Sequence, residues 1–237
     1  MENYTKFVCI PTYNEKDNIE NLAKAIFNLN IKGLKLVIID DNSPDGTGEI
    51  ADRLAEKHPI KVIHRDGKLG LGTAYIAGFK YALSNGGKYM FEMDADFSHN
   101  PNDIPRLLKE ARDGYQVVLG SRKIDQGEIK DWSFWRHFAS DGAMFFSRAL
   151  LGLKTKDVTA GFRCYKKEVL EELNLDTIKS NGYAFQEEMI YLCEKKKFKI
   201  KEVPITFVDR KLGESKLSHN EIIEFFVKMV KLKLRIK

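Results

Sequence analysis

The 237-residue chain has the length of one α/β domain, with or without a small appendage, and can bury a substantial core. Its three cysteines (Cys9, Cys164 and Cys193) form no C-x-x-C pair, which argues against a zinc site or a disulfide framework and favours a reducing compartment. The formal net charge is +5, but the last ten residues hold five cations and no acid. The rest of the chain is therefore near neutral, and no nucleic-acid partner is expected.

Short apolar runs alternate with helical patterns from the amino terminus onwards. The apolar runs predict strands at 6–10, 34–39, 60–63, 89–93 and 116–120. The intervening patterns predict helices near 17–28, 47–58, 71–84 and 103–112. Asp17 and Glu20 are predicted to form a capping box at the start of the first helix. This alternation predicts a single α/β domain with a doubly wound, mostly parallel sheet and helices on both faces.

Polar side chains follow each predicted strand at the point where the strand ends. These segments are 11–15, Asp40-Asp41, Arg65-Asp66, Asp94-Ala95-Asp96 and Ser121-Arg122. In doubly wound sheets, ligands bind beyond the carboxyl ends of the strands. Asp94 and Asp96 are separated by one residue, which suits a divalent cation that carries a diphosphate. The sequence therefore predicts a nucleotide-diphosphate site at this edge.

Other segments imitate known binding motifs without matching them. Residues 41–46 resemble the start of an EF-hand calcium loop, but they follow a strand rather than a helix, and Pro44 stiffens them. The sequence has no G-x-G-x-x-G after the first strand and no Walker lysine motif, which disfavours a dinucleotide dehydrogenase or a P-loop ATPase. The five histidines are scattered and are interpreted as structural or surface residues.

Several motifs in chain order resemble those of known glycosyltransferases. Pro11-Thr12-Tyr13-Asn14-Glu15, residues 40–47, Asp94-Ala95-Asp96 and Gly120-Ser121-Arg122 resemble the signatures of inverting GT-A glycosyltransferases. Segments 93–99, 159–163 and 207–217 resemble the dolichol-phosphate mannose synthases more narrowly. The resemblance runs from about Phe7 to Glu224. It implies a GT-A catalytic domain over 1–217, with an amphipathic helix near 132–151, and a basic amphipathic helix over 218–237.

The resemblance implies transfer of mannose from GDP-mannose to the phosphate of a polyprenol such as dolichol, with inversion at the anomeric carbon. It implies that Mg²⁺ or Mn²⁺ binds to Asp94 and Asp96, with Ser98 as a third candidate ligand because some relatives carry glutamine there. The implied donor-binding residues are Pro11, Tyr13, Glu15, Ile39, Asp41, Asp94, Ala95, Asp96, Arg122, Arg210 and Lys216. The implied catalytic residues are Asp96, Arg122 and Arg210. The implied acceptor-phosphate residues are Arg122, Arg136 and Ser140.

Many polyprenyl-phosphate sugar synthases carry a transmembrane region after the catalytic domain, and this chain resembles a short form without one. We expect a peripheral location on the cytoplasmic face of a membrane. Six aromatic residues between Trp132 and Phe146, and an apolar stripe before the basic tail, are typical of helices at the headgroup level, although core packing produces the same spacing. A small membrane-anchoring subunit, docking against Phe225 and Phe226, is a candidate partner.

Two alternative functions fit the same motifs. One is a polyprenyl-phosphate glucosyltransferase that uses UDP-glucose. The sequence of a strand-end loop does not identify which nucleotide base it binds. The other is a non-catalytic nucleotide-sugar-binding subunit, which is disfavoured by the presence of Asp94, Asp96, Arg122 and Arg210. The charged segment 209–218 contains Gly213 and is predicted to order over the bound donor.

Overall fold

The computed structural model describes residues 5–178, 180–209 and 219–234. Within these ranges the strands are β1 (Thr5–Thr12), β2 (Leu34–Asp40), β3 (Ile60–His64), β4 (Gly87–Glu92), β5 (Val117–Ser121), β6 (Glu128–Lys130), β7 (Arg163–Lys166), β8 (Ile200–Pro204) and β9 (Thr206–Val208). The α-helices are α1 (Ile19–Phe27), α2 (Thr47–Ala55), α3 (Leu71–Ser84), α4 (Ile104–Arg112), α5 (Phe134–Leu151), α6 (Lys167–Glu172), α7 (Tyr183–Lys195) and α8 (His219–Leu234).

The central sheet has the strand order β3-β2-β1-β4-β7-β5-β8, and β6 pairs with β9 in a separate two-stranded sheet. Within the central sheet, β7 runs antiparallel to β4 and β5, whereas the other pairs are parallel. The predicted doubly wound, mostly parallel α/β fold is thus confirmed. The chain builds from β1 to β2 and β3 on one side and places β4 on the other. The strand order therefore reverses between β1 and β4, where such sheets bind ligands.

The five predicted strands and four predicted helices all occur, with ends within three residues of the predicted ones, and α5 lies in the predicted 132–151 segment. The predicted capping box is wrong. Helix α1 begins at Ile19 with Asn18 as its N-cap, and no side chain caps it. The carbonyl of Glu15 accepts hydrogen bonds from the N–H groups of both Asn18 and Ile19, so that Asp17 lies in the turn before the helix.

The sheet is buried on both faces, as expected for strands covered by helices on each side. Along β1, Phe7 and Cys9 face an apolar cluster formed with α3 and α7, whereas Val8 and Ile10 face a cluster formed with α1 and α4. Met229 of α8 is fully buried in the first cluster. The apolar stripe of α8 therefore packs partly against the domain. Among the described residues, no helix combines the length and the hydropathy needed to cross a lipid bilayer.

Two carboxyl groups are fully buried close to this core. Glu187 lies on α7, and its Oε2 accepts a hydrogen bond of 3.0 Å from the hydroxyl of Ser147 on α5. Burial raises the pKa of Glu187 to about 8, against the opposing effect of the Ser147 hydrogen bond. Burial likewise raises the pKa of Glu92, at the end of β4, to about 7. Both groups therefore stay protonated to a higher pH in the folded chain than an ordinary glutamate does.

We expect the free energy of unfolding to fall as the pH rises from about 4.5 to about 8. The unfolded chain releases these protons near the ordinary glutamate pKa of 4.5, whereas the folded chain retains that of Glu187 up to about pH 8. The free energy of unfolding then declines by about 1.4 kcal/mol per pH unit for each retained proton. Glu187→Gln should reduce this slope in urea denaturation, and exposed Glu56→Gln should not. An unchanged slope in Glu187→Gln would contradict the assignment.

Candidate active site

The loops after β1 and β2 are fastened together by the buried carboxylate of Asp40. Its Oδ1 accepts hydrogen bonds from the hydroxyls of Thr12 (2.9 Å) and Ser43 (2.6 Å), and its Oδ2 accepts from the Ser43 N–H (3.0 Å). The Ser43 hydroxyl in turn accepts from the Asn14 N–H at 3.1 Å. Asp40 therefore has a structural role, because its hydrogen bonds fix the backbone of both loops without a ligand.

The predicted donor residues Tyr13 and Asp41 lie at this edge. The Tyr13 ring is 39% exposed, and the Lys68 ammonium lies 4.7 Å from its centroid. Asp41 forms an ion pair with Arg65 at 2.7 Å, and Arg65 also donates to the Thr73 hydroxyl at 2.5 Å. Burial raises the pKa of Asp41, while the charge of Arg65 opposes this rise. A ligand here would meet a neutralised pair rather than an isolated acid.

The other predicted donor residues at this edge differ in exposure. Pro11 is half-buried and lies opposite Ile39 in the β1–β2 register. The side chains of Ile39 and Ala95 are buried, and Ile39 lies within the sheet between Pro11 of β1 and Ile63 of β3. The Glu15 carboxylate accepts a hydrogen bond from Asn18 at 2.8 Å, at the turn before α1. These residues lie together at the carboxyl ends of β1, β2 and β4.

Asp94 and Asp96 follow β4, and both are half-buried. The Tyr75 hydroxyl donates to Oδ1 of Asp94 at 3.2 Å, and the N–H of Ser98 donates to Oδ1 of Asp96 at 3.0 Å. His99 is buried beside them, and its Nδ1 accepts from the Asp94 N–H at 3.4 Å. Burial lowers the pKa of His99 to about 4, against the opposing charge of Asp96, so the imidazole is neutral at physiological pH.

The oxygen donors at this point fit a hard divalent cation. The Ser98 hydroxyl is buried and has no hydrogen-bond partner among the described residues. Gly161 keeps space open beside Asp94, since a Cβ there would lie 3.6 Å from Oδ2. No cluster of three His, Cys, Asp or Glu side chains suited to a metal occurs in the part of the chain that the structure describes. Mg²⁺ is usually held by one or two carboxylates together with substrate phosphates, and this donor set suits that mode.

Arg122, after β5, is held by a buried carboxylate that the sequence analysis missed. Its Nε and Nη2 donate to the two carboxylate oxygens of Asp157, both at 2.7 Å, and its backbone N–H donates at 2.8 Å. Nη2 also donates to the Thr159 hydroxyl at 2.8 Å. The Arg122 side chain is 8% exposed and that of Asp157 is fully buried. Such a two-point pair fixes both the position and the plane of the guanidinium.

The loop that carries Asp157 is itself held by the fully buried Arg163 on β7. Its Nε donates to the carbonyl of Ala160 at 2.7 Å, and its Nη2 donates to that of Val158 at 2.8 Å. Its Nη1 reaches the carbonyl of Gln186 on α7 at 2.8 Å. The residues 159–163, recognised in the sequence as a motif, thus fold around this arginine and position Asp157 for Arg122.

The predicted acceptor-side cations Arg122 and Arg136 meet at one indole ring. The guanidinium of Arg136 lies 4.3 Å from the Trp132 ring centroid, and that of Arg122 lies 5.9 Å from it. Arg122 also lies 5.2 Å from the ring of Phe207, and Arg136 forms an ion pair with Asp209. The Trp132 Nε1 is buried without a hydrogen-bond partner among the described residues.

The remaining predicted residues are only partly described. Ser140 lies one turn after Arg136 on α5 and is half-buried. Arg210, Lys216 and the predicted closing segment, apart from Asp209, lie outside the described residues, as do the side chain of Phe225 and the basic end of the tail. Asp157 lies two residues before the recognised 159–163 motif, and that position was the one sequence signal that could have pointed to it.

Comparisons with known proteins agree with this arrangement. The signature of glycosyl transferase family 2 matches residues 7–174. The chain is 40% identical over 230 residues to a polyprenol monophosphomannose synthase of Mycolicibacterium smegmatis, which covers 96% of this chain and 86% of the relative. It is 43% identical over 225 residues to an undecaprenyl-phosphate mannosyltransferase of Micrococcus luteus, which covers 94% of this chain and 91% of the relative.

A solved structure resembles the fold at low sequence identity. It is a glucosyl-3-phosphoglycerate synthase of Mycobacterium tuberculosis in complex with Mn²⁺, UDP and phosphoglyceric acid. The TM-score is 0.72 at 18% identity, over 97% of this chain and 78% of that one. The chain therefore belongs to glycosyl transferase family 2, and its sheet and strand-end loops have the GT-A-type arrangement. The two relatives confirm the motif resemblance to polyprenyl-phosphate mannose synthases.

We expect the buried Arg122–Asp157 pair to matter more for stability than the more exposed Lys123–Asp141 pair beside it. Asp157→Asn leaves a buried guanidinium without its charge partner, and it should lower the free energy of unfolding by roughly 3–5 kcal/mol. Asp141→Asn removes the acid of the adjacent Lys123–Asp141 pair, whose Asp141 side chain is 57% exposed. That change should cost about 1 kcal/mol or less. Urea denaturation measures both variants, and equal losses would show that the buried pair does not have this role.

Proposed function

We propose that this chain transfers mannose from GDP-mannose to the phosphate of a polyprenol, with inversion at the anomeric carbon. The observation that carries the proposal is the likeness, at 40% and 43% identity over almost the whole chain, to two enzymes named for polyprenyl-phosphate mannose synthesis. The position of Asp94 and Asp96 at the reversal of strand order supports it, because a nucleotide sugar would bind in that crevice.

On the donor side, the loops after β1 and β2 receive the nucleoside. Tyr13 offers a partly exposed ring, and the Asp41–Arg65 pair offers hydrogen-bonding groups close to it. Pro11 and Ile39, which lie opposite each other near the ends of β1 and β2, are proposed to lie beneath the nucleoside. Because Asp40 already fixes the loops, they lose little conformational entropy when the donor binds.

Asp94 and Asp96 would hold a divalent cation, Mg²⁺ or Mn²⁺, with the buried Ser98 hydroxyl as an additional oxygen donor. When bound, such a cation neutralises the charge that builds up on the leaving diphosphate. The hydrogen bond from Tyr75 to Asp94 and that from the Ser98 N–H to Asp96 orient the two carboxylates beforehand. The M. tuberculosis synthase of similar fold was solved with Mn²⁺, which supports divalent-metal use in this architecture.

On the acceptor side, Arg122 and Arg136 bind the polyprenyl phosphate at the Trp132 ring, and Ser140 adds a hydroxyl one turn along α5. The phosphate is already anionic, so its oxygen attacks the anomeric carbon without a strong general base. A bond forms from that oxygen to the carbon on the face opposite the diphosphate. The bond to the diphosphate breaks, and GDP departs with the electron pair. Arg210 and Lys216 are proposed to assist in binding the phosphates.

A polyprenol is insoluble in water, so the acceptor side must lie close to a bilayer. Helix α5 exposes Phe134, Trp135 and Phe138 at 74%, 74% and 66%, next to Arg136. We therefore place the enzyme peripherally on the cytoplasmic face of a membrane, with 1–217 as the catalytic domain and 218–237 as a basic helix. Phe226 of α8 is 37% exposed and packs against Phe146 at 4.8 Å, which offers a surface for a small membrane-anchoring subunit.

The donor assignment is tested by turnover of two labelled nucleotide sugars with a polyprenyl phosphate in detergent. GDP-mannose should be consumed in preference to UDP-glucose, with label recovered in the lipid phase. UDP-glucose is the alternative donor, since the structurally similar synthase was solved with UDP. Preferred turnover of UDP-glucose would replace the mannosyltransferase proposal with a glucosyltransferase one, and no turnover of either sugar would support a non-catalytic binding subunit.

Asp96→Asn should abolish measurable transfer, and Asp94→Asn should weaken metal-dependent donor binding. Losing one charge contact to the leaving group should cost about 2.7–4 kcal/mol or more, equivalent to roughly a 100- to 1000-fold fall in kcat. Asp113→Asn removes an exposed acid after α4 and serves as the matched control. Transfer rates are measured with and without a chelator. Near-normal turnover in Asp96→Asn, or full activity of the wild type in excess chelator, would contradict the metal assignment.

A further inference from the structure

A basic cavity lies outside the site described above, between α5 and the loops that follow β5 and α5. Its volume is about 260 Å³, and its lining consists of Lys123, Asp141, Met144, Phe145, Arg148 and Lys156. Three of these residues are cations and one is an acid, and that acid is already paired with Lys123 at 2.6 Å. The Nε of Arg148 is buried and has no hydrogen-bond partner among the described residues. The cavity therefore presents uncompensated positive charge together with an unused donor.

The same cavity has an apolar side that continues along α5. Residues 134, 138, 141, 145 and 148 follow one another at intervals of four and three, so their side chains share one face of the helix. On this face Phe134, Phe138 and Phe145 are 74%, 66% and 73% exposed. Phe145 belongs both to this aromatic face and to the cavity wall. A ligand that fits both features carries an anionic group and an apolar chain.

The cavity is also close in sequence to the acceptor-side ion pair. Lys123 follows Arg122 directly, and Lys156 precedes Asp157. The backbone N–H of Lys156 donates to Oε2 of Glu202 at 2.9 Å, which fixes that side of the loop. An anion bound by Arg148 and Lys156 would thus lie close in sequence to the residues that flank Arg122 and Asp157.

We propose that the cavity binds the phosphate headgroup of an anionic membrane phospholipid, separate from the polyprenyl phosphate that Arg122 and Arg136 hold. Arg148 and Lys156 supply the charge, while Met144 and Phe145 contact the glycerol and the start of the acyl chains. A phospholipid is preferred to free phosphate because the cavity wall is partly apolar and continuous with the exposed aromatic face. The choice of lipid rests on the proposed function, whereas the anion site itself does not.

The test is co-sedimentation of the full chain with vesicles of phosphatidylcholine, with or without phosphatidylglycerol. The wild type should bind the phosphatidylglycerol vesicles more tightly. The double variant Arg148→Gln/Lys156→Gln should lose about fivefold in affinity per cation, or roughly 25-fold in total. Lys57→Gln/Lys61→Gln removes the same charge from exposed positions at the β3 end of the sheet and is the matched control. It should change affinity by no more than about threefold.

A charge-conserving variant, thermal unfolding and inorganic-phosphate binding complete the experiment. Arg148→Lys/Lys156→Arg keeps the charge and should retain binding, and thermal unfolding verifies that each variant is folded. Equal binding of phosphatidylglycerol vesicles by the Gln double variant and the wild type would overturn the proposal. Tight binding of inorganic phosphate by the wild type without any preference for phosphatidylglycerol vesicles would overturn the lipid assignment.

The proposed function is tested separately by mannose transfer in detergent with a short-chain polyprenyl phosphate. If that transfer is absent while the Gln double variant loses vesicle binding, the proposed function fails and the anion site stands. If transfer is present and the variant binds vesicles as well as the wild type does, the anion site fails alone.

Discussion

The buried ion pair between Arg122 and Asp157 is the interaction on which the proposed acceptor side depends. Moving two charges out of water costs several kcal/mol per ion, and only close, two-point geometry offsets that cost. Here the carboxylate is fully buried, and both contacts are 2.7 Å. Asp157 can take this position because Arg163 fixes its loop through three backbone carbonyls. A cation held so firmly keeps its orientation toward Trp132 without help from a ligand.

The two sides of the crevice achieve rigidity by different means. On the donor side, Asp40 accepts hydrogen bonds from Thr12 and Ser43, so neutral donors surround one carboxylate and the loops become a fixed wall. On the acceptor side, charge is balanced by charge, and aromatic rings cover the guanidinium groups. Preorganised groups of both kinds would reduce the reorganisation that the proposed sugar transfer requires. The half-buried Asp94 and Asp96 lie between these two walls.

The sequence predicted the alternating strands and helices because each carries its own apolar period, and it predicted the ligand edge because strand ends coincide in parallel sheets. It did not predict β7, whose four residues include the fully buried Arg163 in place of an apolar one. That burial depends on carbonyls at Val158, Ala160 and Gln186, and such partners are visible only once the chain is folded. Asp157 was missed for the same reason, since an isolated acid in a loop reads as a surface residue.

The position of β7 limits the order in which the strands can pair during folding. β4 and β5 precede β7 in the sequence, but β7 at residues 163–166 lies between them in the sheet. The edges of β4 and β5 that face each other therefore stay unpaired until β7 is made. A nascent chain that has emerged only as far as α5 therefore carries β4 with one open edge and β5 with two. Unpaired strand edges recruit other chains, and non-local pairing is slow. The nascent chain is therefore prone to aggregate from the completion of β5 at Ser121 until β7 at Arg163–Lys166 is made, and β5 keeps one open edge until β8 at Ile200–Pro204 follows. Chaperones would most improve the yield during this interval.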